Sequence, residues 1–175
     1  VAKPLHVGHL RSASIGEALK RLAIRMGNEA VGDVHLGDFG LQMGLIIGEL
    51  EERGELEKDF TIGELEEIYP FASAKAKEKN ADGSLKNEEY ANRAKDITVR
   101  LQKGEEKYKK AWEKIMKVSI ADLKKNYDAL DVHFEIWKGE SDAEPYFPRL
   151  IEILEEKGLS YRSNGALVVD IAEPE

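Results

Sequence analysis

The chain has no cysteine in its 175 residues. This absence excludes disulfide bonds, thiolate metal ligands and cysteine nucleophiles, and it leaves a secreted disulfide scaffold without support. We therefore expect a protein of the reducing cytoplasm. Long apolar runs are lacking as well: stretches such as residues 45–47 and 166–169 are far shorter than the roughly 20 residues that cross a bilayer. The sequence predicts no membrane-spanning segment and no membrane partner.

Positive charge is scarce relative to negative charge. Lysine and arginine total 26 against 34 aspartates and glutamates, which gives a net charge of -8. Stand-alone nucleic-acid-binding proteins are usually basic, so any RNA contact has to come from a local patch. The lysines within residues 107–117 are interspersed with glutamates, and we interpret them as a solvated helix face. The chain opens on Val1 rather than methionine, and we expect both of its ends to lie inside a longer protein.

The apolar pattern of the first third predicts a helix, a strand and a second helix. Residues 8–26 carry an apolar stripe at helical spacing, and Gly27-Asn28 follows as a C-terminal stop. The stripe consists of Ile15, Ala18, Leu19, Leu22 and Met26. Residues 29–36 predict a strand that runs into a tight loop at Gly37-Asp38, and residues 41–53 predict the next helix.

The middle of the chain is rich in lysine, glutamate and alanine. It predicts three amphipathic helices, over residues 62–80, 86–103 and 105–127, with a turn at residues 80–84. Tyr108 and Trp112 lie on the apolar stripe of the third helix. We therefore interpret these two aromatic residues as core rather than as platforms for base stacking.

The last part of the chain predicts mixed structure. In order, the expected elements are a strand at 132–137, a loop at 138–142, a helix at 145–157 and a hairpin of residues 159–162 and 166–171. The hairpin turn contains Asn164-Gly165, which supplies the positive φ angles of a tight turn.

An unusual cluster, His6-Val7-Gly8-His9, stands at the start of the first predicted helix. The first turn of a helix has free N–H groups and the positive end of the dipole, so it suits an anion such as phosphate. Gly8 allows close approach of the backbone. Lys3 lies just upstream and adds a donor for a polyanion. The pattern predicts a phosphate-binding site.

The histidine pair has two other interpretations. Imidazoles three residues apart could bind a metal ion, but the remaining histidines, His35 and His133, are isolated and no cysteine exists. The pair could also consist of ordinary helix-start residues, which does not explain Lys3 and Gly8 beside it. We therefore expect no protein metal site. His35 on its predicted strand is interpreted as a structural residue.

Four segments together resemble the arginyl-tRNA synthetase family of class I aminoacyl-tRNA synthetases. Residues 2–12 resemble the HIGH signature, and residues 35–44 resemble the family's GDWGTQFG-like block, with Phe39 in place of the more usual tryptophan. Residues 68–75 resemble the family's insertion region, and residues 164–169 resemble the hairpin that precedes its return to the nucleotide-binding fold. The segments occur in the family's order along the whole chain.

The resemblance implies a chemistry for the chain. In the family, arginine is activated with ATP to arginyl-adenylate and is then transferred to tRNA(Arg). The residues here that match the ATP site are His6, Gly8, His9 and Lys3, with His6, His9 and Lys3 as the catalytic candidates; the family's equivalent of Lys3 compensates for a degenerate KMSKS loop. His9 also approaches arginine. Mg²⁺ is expected with ATP as substrate, held by phosphate oxygens and water, and no prosthetic group is expected.

Two further residues are candidates for arginine binding, Asp38 and Gln42. They follow a predicted strand and enter a helix, where open α/β sheets build ligand sites. A hydrogen-bonding role that fixes the loop is the stronger interpretation for Asp38.

The predicted fold class is α/β and helix-rich overall. We expect the first part of a Rossmann-like catalytic fold at 1–53, a helical insertion at 54–127 and a mixed α/β connective segment with a small β element at 128–175. The strand that precedes the signature in the family, its KMSKS segment and its guanidinium-reading residues are not in the chain. We therefore expect exposed apolar surfaces and no aminoacylation by the chain alone. The alternatives are an HxGH-type nucleotidylyltransferase and a non-catalytic binding module.

Overall fold

The computed structural model describes residues 1–3 and 5–171. Six α-helices, four short strands and one 3₁₀ helix follow one another within them. In chain order they are α1 (Val7–Arg25), β1 (Asp33–Leu36), α2 (Leu41–Glu52), α3 (Ile62–Lys77), α4 (Glu88–Gln102), α5 (Glu106–Ala129), β2 (Ile136–Gly139), the 3₁₀ helix (Glu140–Tyr146), α6 (Phe147–Glu156), β3 (Tyr161–Ser163) and β4 (Ala166–Val168). The predicted helix-rich α/β character is confirmed. Among the described residues, no helix is both long and apolar enough to cross a membrane.

Two compact units make up the chain, Val1–Glu140 and Ser141–Glu175. The predicted segment boundaries at residues 53 and 127 remain predictions. In the first unit β1 pairs in parallel with β2, from Asp33 opposite Ile136 to Leu36 opposite Gly139. Helices α2 to α5 lie between these two strands in sequence, so they form the long connection that a parallel pair requires.

The second strand of this pair lies further along the chain than the sequence pattern predicts. The strand predicted at 132–137 begins too early, and the predicted loop at 138–142 is wrong. Val132 is buried and its N–H donates to the carbonyl of Tyr127, so it closes the end of α5 rather than joining the sheet. Pairing begins only where β1 runs alongside, at Ile136.

Helix α2 is the centre of the first unit. Its residues from Met43 to Leu50 are all buried, and α3, α4 and α5 pack around it. Gly44 permits the closest of these approaches, because a Cβ at this position would lie 2.1 Å from the carbonyl oxygen of Ala94 and the hydroxyl of Thr98. Tyr108 is buried in this core and Trp112 packs against it, as the sequence predicts.

Helix α1 is packed differently. It has no buried residue, and its apolar stripe faces outward, with Ile15, Leu19 and Leu22 each more than half exposed. The face turned toward the rest of the first unit carries Ala13, which packs against an apolar cluster, together with Glu17 and Lys20, whose side chains are 9% and 8% exposed. The expected exposed apolar surface is therefore present on this helix.

The second unit contains the 3₁₀ helix from its second residue onward, α6 and an antiparallel hairpin of β3 and β4. The predicted hairpin is confirmed, with Ser163 opposite Ala166 and positive φ angles at Asn164 (50°) and Gly165 (84°). Its strands are shorter than the predicted 159–162 and 166–171, and residues 172–175 of the predicted connective segment lie outside the described residues. The helix predicted from residue 145 begins at Phe147 instead. Pro148 has no N–H to bond the carbonyl four residues earlier, so regular helix starts later.

Candidate functional site

The two histidines of the signature cap the start of α1. His6 is the N-cap residue, and its Nδ1 accepts a hydrogen bond from the Gly8 N–H at 3.1 Å. In return, the Nδ1 of His9 accepts from the His6 N–H at 3.3 Å. The two rings stack with centroids 3.7 Å apart and planes inclined by 24°. The sequence motif therefore folds into one stacked pair of imidazoles.

This pairing determines what the imidazoles offer to a ligand. Because both Nδ1 atoms accept hydrogen bonds, each neutral ring carries its proton on Nε2. Desolvation, followed by the charges of His6, of the N-terminus and of Lys3, lowers the pKa of His9 below its ordinary value. His9 is thus neutral at pH 7, and both exposed side chains present an Nε2–H that can donate to an anion.

Gly8 has a specific steric role in the motif. A Cβ at this position would lie 2.9 Å from Cε1 and 3.0 Å from Nδ1 of His6. The His6 ring can fold back over the backbone only because Gly8 has no side chain. The amide of Gly8 then donates to His6 itself, so this first-turn donor, expected from the sequence to bind an anion, is taken by the imidazole.

Lys3 borders the same groove as His6. The groove has a volume of about 690 Å³, and its wall opposite the signature is the surface of α3. The lining residues are Lys3, His6, Glu66, Tyr69, Pro70, Ser73, Ala74 and Lys77. The Lys3 ammonium lies 4.0 Å above the ring centroid of Tyr69. The structure thus brings Lys3 and His6 together at one groove, and His9 is connected to it only through its stack on His6.

Asp38 lies in the loop after β1 and Gln42 in the first turn of α2, and neither lines that groove. Gln42 donates from Nε2 to the carbonyls of Gly37 at 2.9 Å and Val1 at 3.3 Å. Asp38 is 1% exposed, and its carbonyl accepts from Trp112 Nε1 at 2.8 Å. Both residues therefore fix the loop and the N-terminal segment. His35 is exposed and lies 3.8 Å from the Asp33 carboxylate.

A cluster of charges that the motifs did not reveal attaches α1 to the loop before β2. Glu17 accepts from Lys20 at 3.0 Å, from Arg21 at 2.7 Å and from the His133 N–H at 3.1 Å. Burial alone would raise the pKa of Glu17, but these donors lower it from 4.5 to about 2. Lys20 also pairs with Glu135. The charges at i, i+3 and i+4, on the face away from the apolar stripe, are the signal that could have revealed this contact.

The described residues contain no group of side chains suited to bind a metal ion. Across residues 1–3 and 5–171, no three histidine, aspartate or glutamate side chains are arranged to hold a metal ion.

Comparison with known proteins identifies the family. A family model described as tRNA synthetases class I (R), catalytic domain, matches residues 1–174. The arginine–tRNA ligase of Agathobacter rectalis is 53% identical to this chain and covers 99% of it. The ligase of Alkaliphilus oremlandii is 46% identical over the same share. In both cases the chain spans about 30% of the relative's length.

A solved structure agrees with these relatives. The crystal structure of arginyl-tRNA synthetase from Plasmodium falciparum superposes with a TM-score of 0.74 at 25% identity, over 98% of this chain and 28% of that one. Sequence and fold therefore give the same result: the chain belongs to the class I tRNA synthetase family of the arginine type, within its catalytic domain.

Proposed function

We propose that this chain supplies the ATP-binding part of a cytoplasmic arginine–tRNA ligase. The observation that carries the proposal is that His6, with His9 stacked on it, borders one groove together with Lys3. Two Nε2–H donors and an ammonium group are suited to the oxygens of a polyphosphate. Family membership disfavours a small nucleotidylyltransferase, and the relatives named above carry the arginine–tRNA ligase name.

The reaction proceeds in two steps. In the first, a carboxylate oxygen of arginine attacks the α-phosphorus of ATP, the bond to the oxygen bridging the α- and β-phosphates breaks, and pyrophosphate leaves. In the second, a hydroxyl of the terminal ribose of tRNA(Arg) attacks the carbonyl carbon, releasing AMP and the hydroxyl proton. Neither step requires a covalent bond to the protein or an electron transfer, so no prosthetic group takes part. Catalysis consists of positioning and charge stabilisation.

Each residue of the site has a role in this proposal. His6 and Lys3 donate to phosphate oxygens of ATP, and Gly8 leaves room for the His6 ring. His9 donates to the α-phosphate and lies toward arginine. Asp38 and Gln42 shape the arginine side of the site through the loop that they hold. Most contacts with tRNA(Arg) would come from the parts of the relatives that this chain does not match.

Magnesium would enter the site together with ATP. The side chains of the groove include an imidazole, two ammonium groups and one carboxylate, Glu66. This set does not form the octahedral oxygen cage that Mg²⁺ prefers. The donors fit the polyphosphate rather than the metal, so phosphate oxygens and water would hold the ion, whose charge neutralises the phosphates.

Calorimetric titration of the chain with ATP and Mg²⁺ tests the proposal. We expect binding by the wild-type chain and at least about tenfold weaker binding by His6→Ala/His9→Ala, because charge-assisted hydrogen bonds are lost. His35→Ala is the matched control, an exposed histidine on β1, and should bind like the wild type. Equal ATP binding by the double variant and the wild type would refute the assignment of the site.

Charging assays test the second part of the proposal. With arginine, ATP and tRNA(Arg), we expect no charging by the chain above the His6→Ala/His9→Ala background, because it spans only about 30% of the length of its relatives. Charging above that background would show that these residues suffice for both steps. A chain that binds no ATP at all would instead be a non-catalytic module.

A further inference from the structure

We propose that Tyr69 is a positioning residue that holds the Lys3 ammonium beside the histidine pair, ready for the phosphates of ATP. The inference rests on the proposed ATP site and assigns to it a residue from α3. Tyr69 acts through Lys3 and does not itself contact the reacting atoms.

The contact between the two side chains has the geometry of a cation–π interaction. The Lys3 Nζ lies 4.0 Å from the ring centroid of Tyr69. An ammonium within about 6 Å of a ring centroid, over its face, is attracted by the negative face of the ring. Lys3 is exposed, and a free lysine side chain samples many rotamers, each of which takes the ammonium to a different place. The ring of Tyr69 favours the lysine rotamers that keep the Lys3 ammonium at the groove.

Tyr69 can do this because its own position is fixed. It lies in the middle of α3, half-buried, and packs against the two apolar clusters around α2. Helix α3 begins with a reciprocal cap, in which the Thr61 hydroxyl accepts from the Glu64 N–H and the Glu64 carboxylate accepts from the Thr61 N–H. The ring is therefore a rigid surface relative to the core.

The backbone that precedes Lys3 is also fixed. Ala2, the residue before it, is fully buried, and its N–H donates to the Ser119 hydroxyl on α5 at 2.9 Å. The carbonyl of Val1 accepts from Gln42 on α2 at 3.3 Å. Because α5 and α2 hold the backbone before Lys3, its ammonium can change position mainly through rotation of the side chain. Tyr69 restricts that rotation.

The consequence for the site follows from the shared groove. Lys3, His6 and Tyr69 line the same groove, so the ammonium borders the same space as the His6 imidazole, on which the His9 ring is stacked. Two other charged groups of α3 face this groove, Glu66 and Lys77. A polyphosphate that bridges His6 and Lys3 gains a preorganised cation and does not have to order a free side chain on binding.

The first experiment measures ATP affinity by calorimetry in a double-mutant cycle. Tyr69→Leu should weaken ATP binding about two- to fivefold, the size of an exposed cation–π contact, and Tyr69→Phe, which keeps the ring, should bind like the wild type. In a Lys3→Met background, Tyr69→Leu should have no further effect. Tyr90→Leu is the control: it removes a similar contact, with Lys75 Nζ 4.1 Å from the ring centroid, outside this groove, and should leave the ATP affinity unchanged.

The second experiment observes the contact directly. NMR spectra of the chain with ¹³C-labelled lysine should show Lys3 side-chain protons shifted upfield by the ring of Tyr69. The shift should persist in Tyr69→Phe, disappear in Tyr69→Leu and change when ATP is added. A merely structural role of Tyr69 would not produce an ATP-dependent shift.

The outcomes separate the inference from the proposed function. If ATP binding depends on His6 and His9 but not on Tyr69, the inference is wrong and the proposed function stands. The inference is also wrong if Tyr69→Leu weakens binding equally with and without Lys3. If neither the wild-type chain nor any variant binds ATP, the proposed function is wrong, and the inference is wrong with it.

Discussion

Helices α1 and α2 come before and after the same strand, β1, in the sequence, but different interactions attach them to the rest of the first unit. Helix α2 is buried from Met43 to Leu50, and apolar residues of α3, α4 and α5 pack against it. Helix α1 has no buried residue, turns its apolar stripe outward and is attached through the charges of Glu17 and Lys20. A regular apolar stripe therefore predicts a helix without predicting which of its faces contacts the rest of the chain.

Truncation of one apolar side chain on each helix should give the largest difference. Ile47 on α2 is fully buried, and Ile47→Ala should lower the free energy of unfolding by about 2–5 kcal/mol, because it leaves a cavity in a packed core. Leu19 on α1 is 61% exposed, and Leu19→Ala should change the free energy of unfolding by less than about 0.5 kcal/mol. Urea denaturation of both variants measures the difference. Similar losses would mean that the stripe of α1 is covered in solution.

The same substitution at one glycine in each helix should have opposite effects. Gly44→Ala on α2 should destabilise by at least about 1–3 kcal/mol, because its Cβ would lie 2.1 Å from the Ala94 carbonyl of α4. A Cβ at Gly16 on α1 would meet no other part of the described chain within 4 Å. Gly16→Ala should therefore stabilise by about 0.5–1 kcal/mol, since alanine favours helix. Thermal unfolding followed by circular dichroism measures both, and two changes of the same sign would contradict the difference in packing.

The attachment of α1 through charges should appear as a dependence on pH. The pKa of Glu17 is lowered from 4.5 to about 2. A lowered carboxyl pKa stabilises the folded state above the ordinary value, and this contribution is lost as the pH falls from about 4.5 toward 2. Glu17→Gln should therefore cost about 1–2 kcal/mol at pH 7 and flatten the stability profile in that window.

The control for this profile is Glu67→Gln, a change at an exposed carboxylate of α3. Its free energy of unfolding should follow that of the wild type between pH 7 and pH 2, as measured by urea denaturation at each pH. If Glu17→Gln also follows the wild type, the charges do not hold α1.

Features that depend on a single segment of the sequence could be predicted better than features that depend on contacts between distant segments. The helices were predicted because their apolar periodicity is contained in each segment, and the hairpin because Asn164-Gly165 specifies its turn. Strand β2 was misplaced because its limits depend on where β1 lies, far away in sequence. In the site, the histidine pair and Lys3 belong to one short motif. The contribution of Tyr69 was not predicted, because only the packing of α3 on α2 brings its ring under Lys3.

The smallest effect on stability is expected at Gly8, where the exposed helix α1 carries the proposed site. Gly8→Ala should change the free energy of unfolding by less than about 0.5 kcal/mol, because the atoms it would meet belong to the exposed His6 ring, which can move away. That movement would break the stack with His9, and ATP binding should weaken about tenfold, since one charge-assisted hydrogen bond is lost. Calorimetry with ATP and the NMR signals of the two imidazoles measure this effect. Tight ATP binding by Gly8→Ala with the imidazole signals displaced would show that the stacked pair is not the conformation that binds. In α2 a glycine is required because two helices meet there, whereas in α1 a glycine is required because one imidazole has to fold back onto the chain.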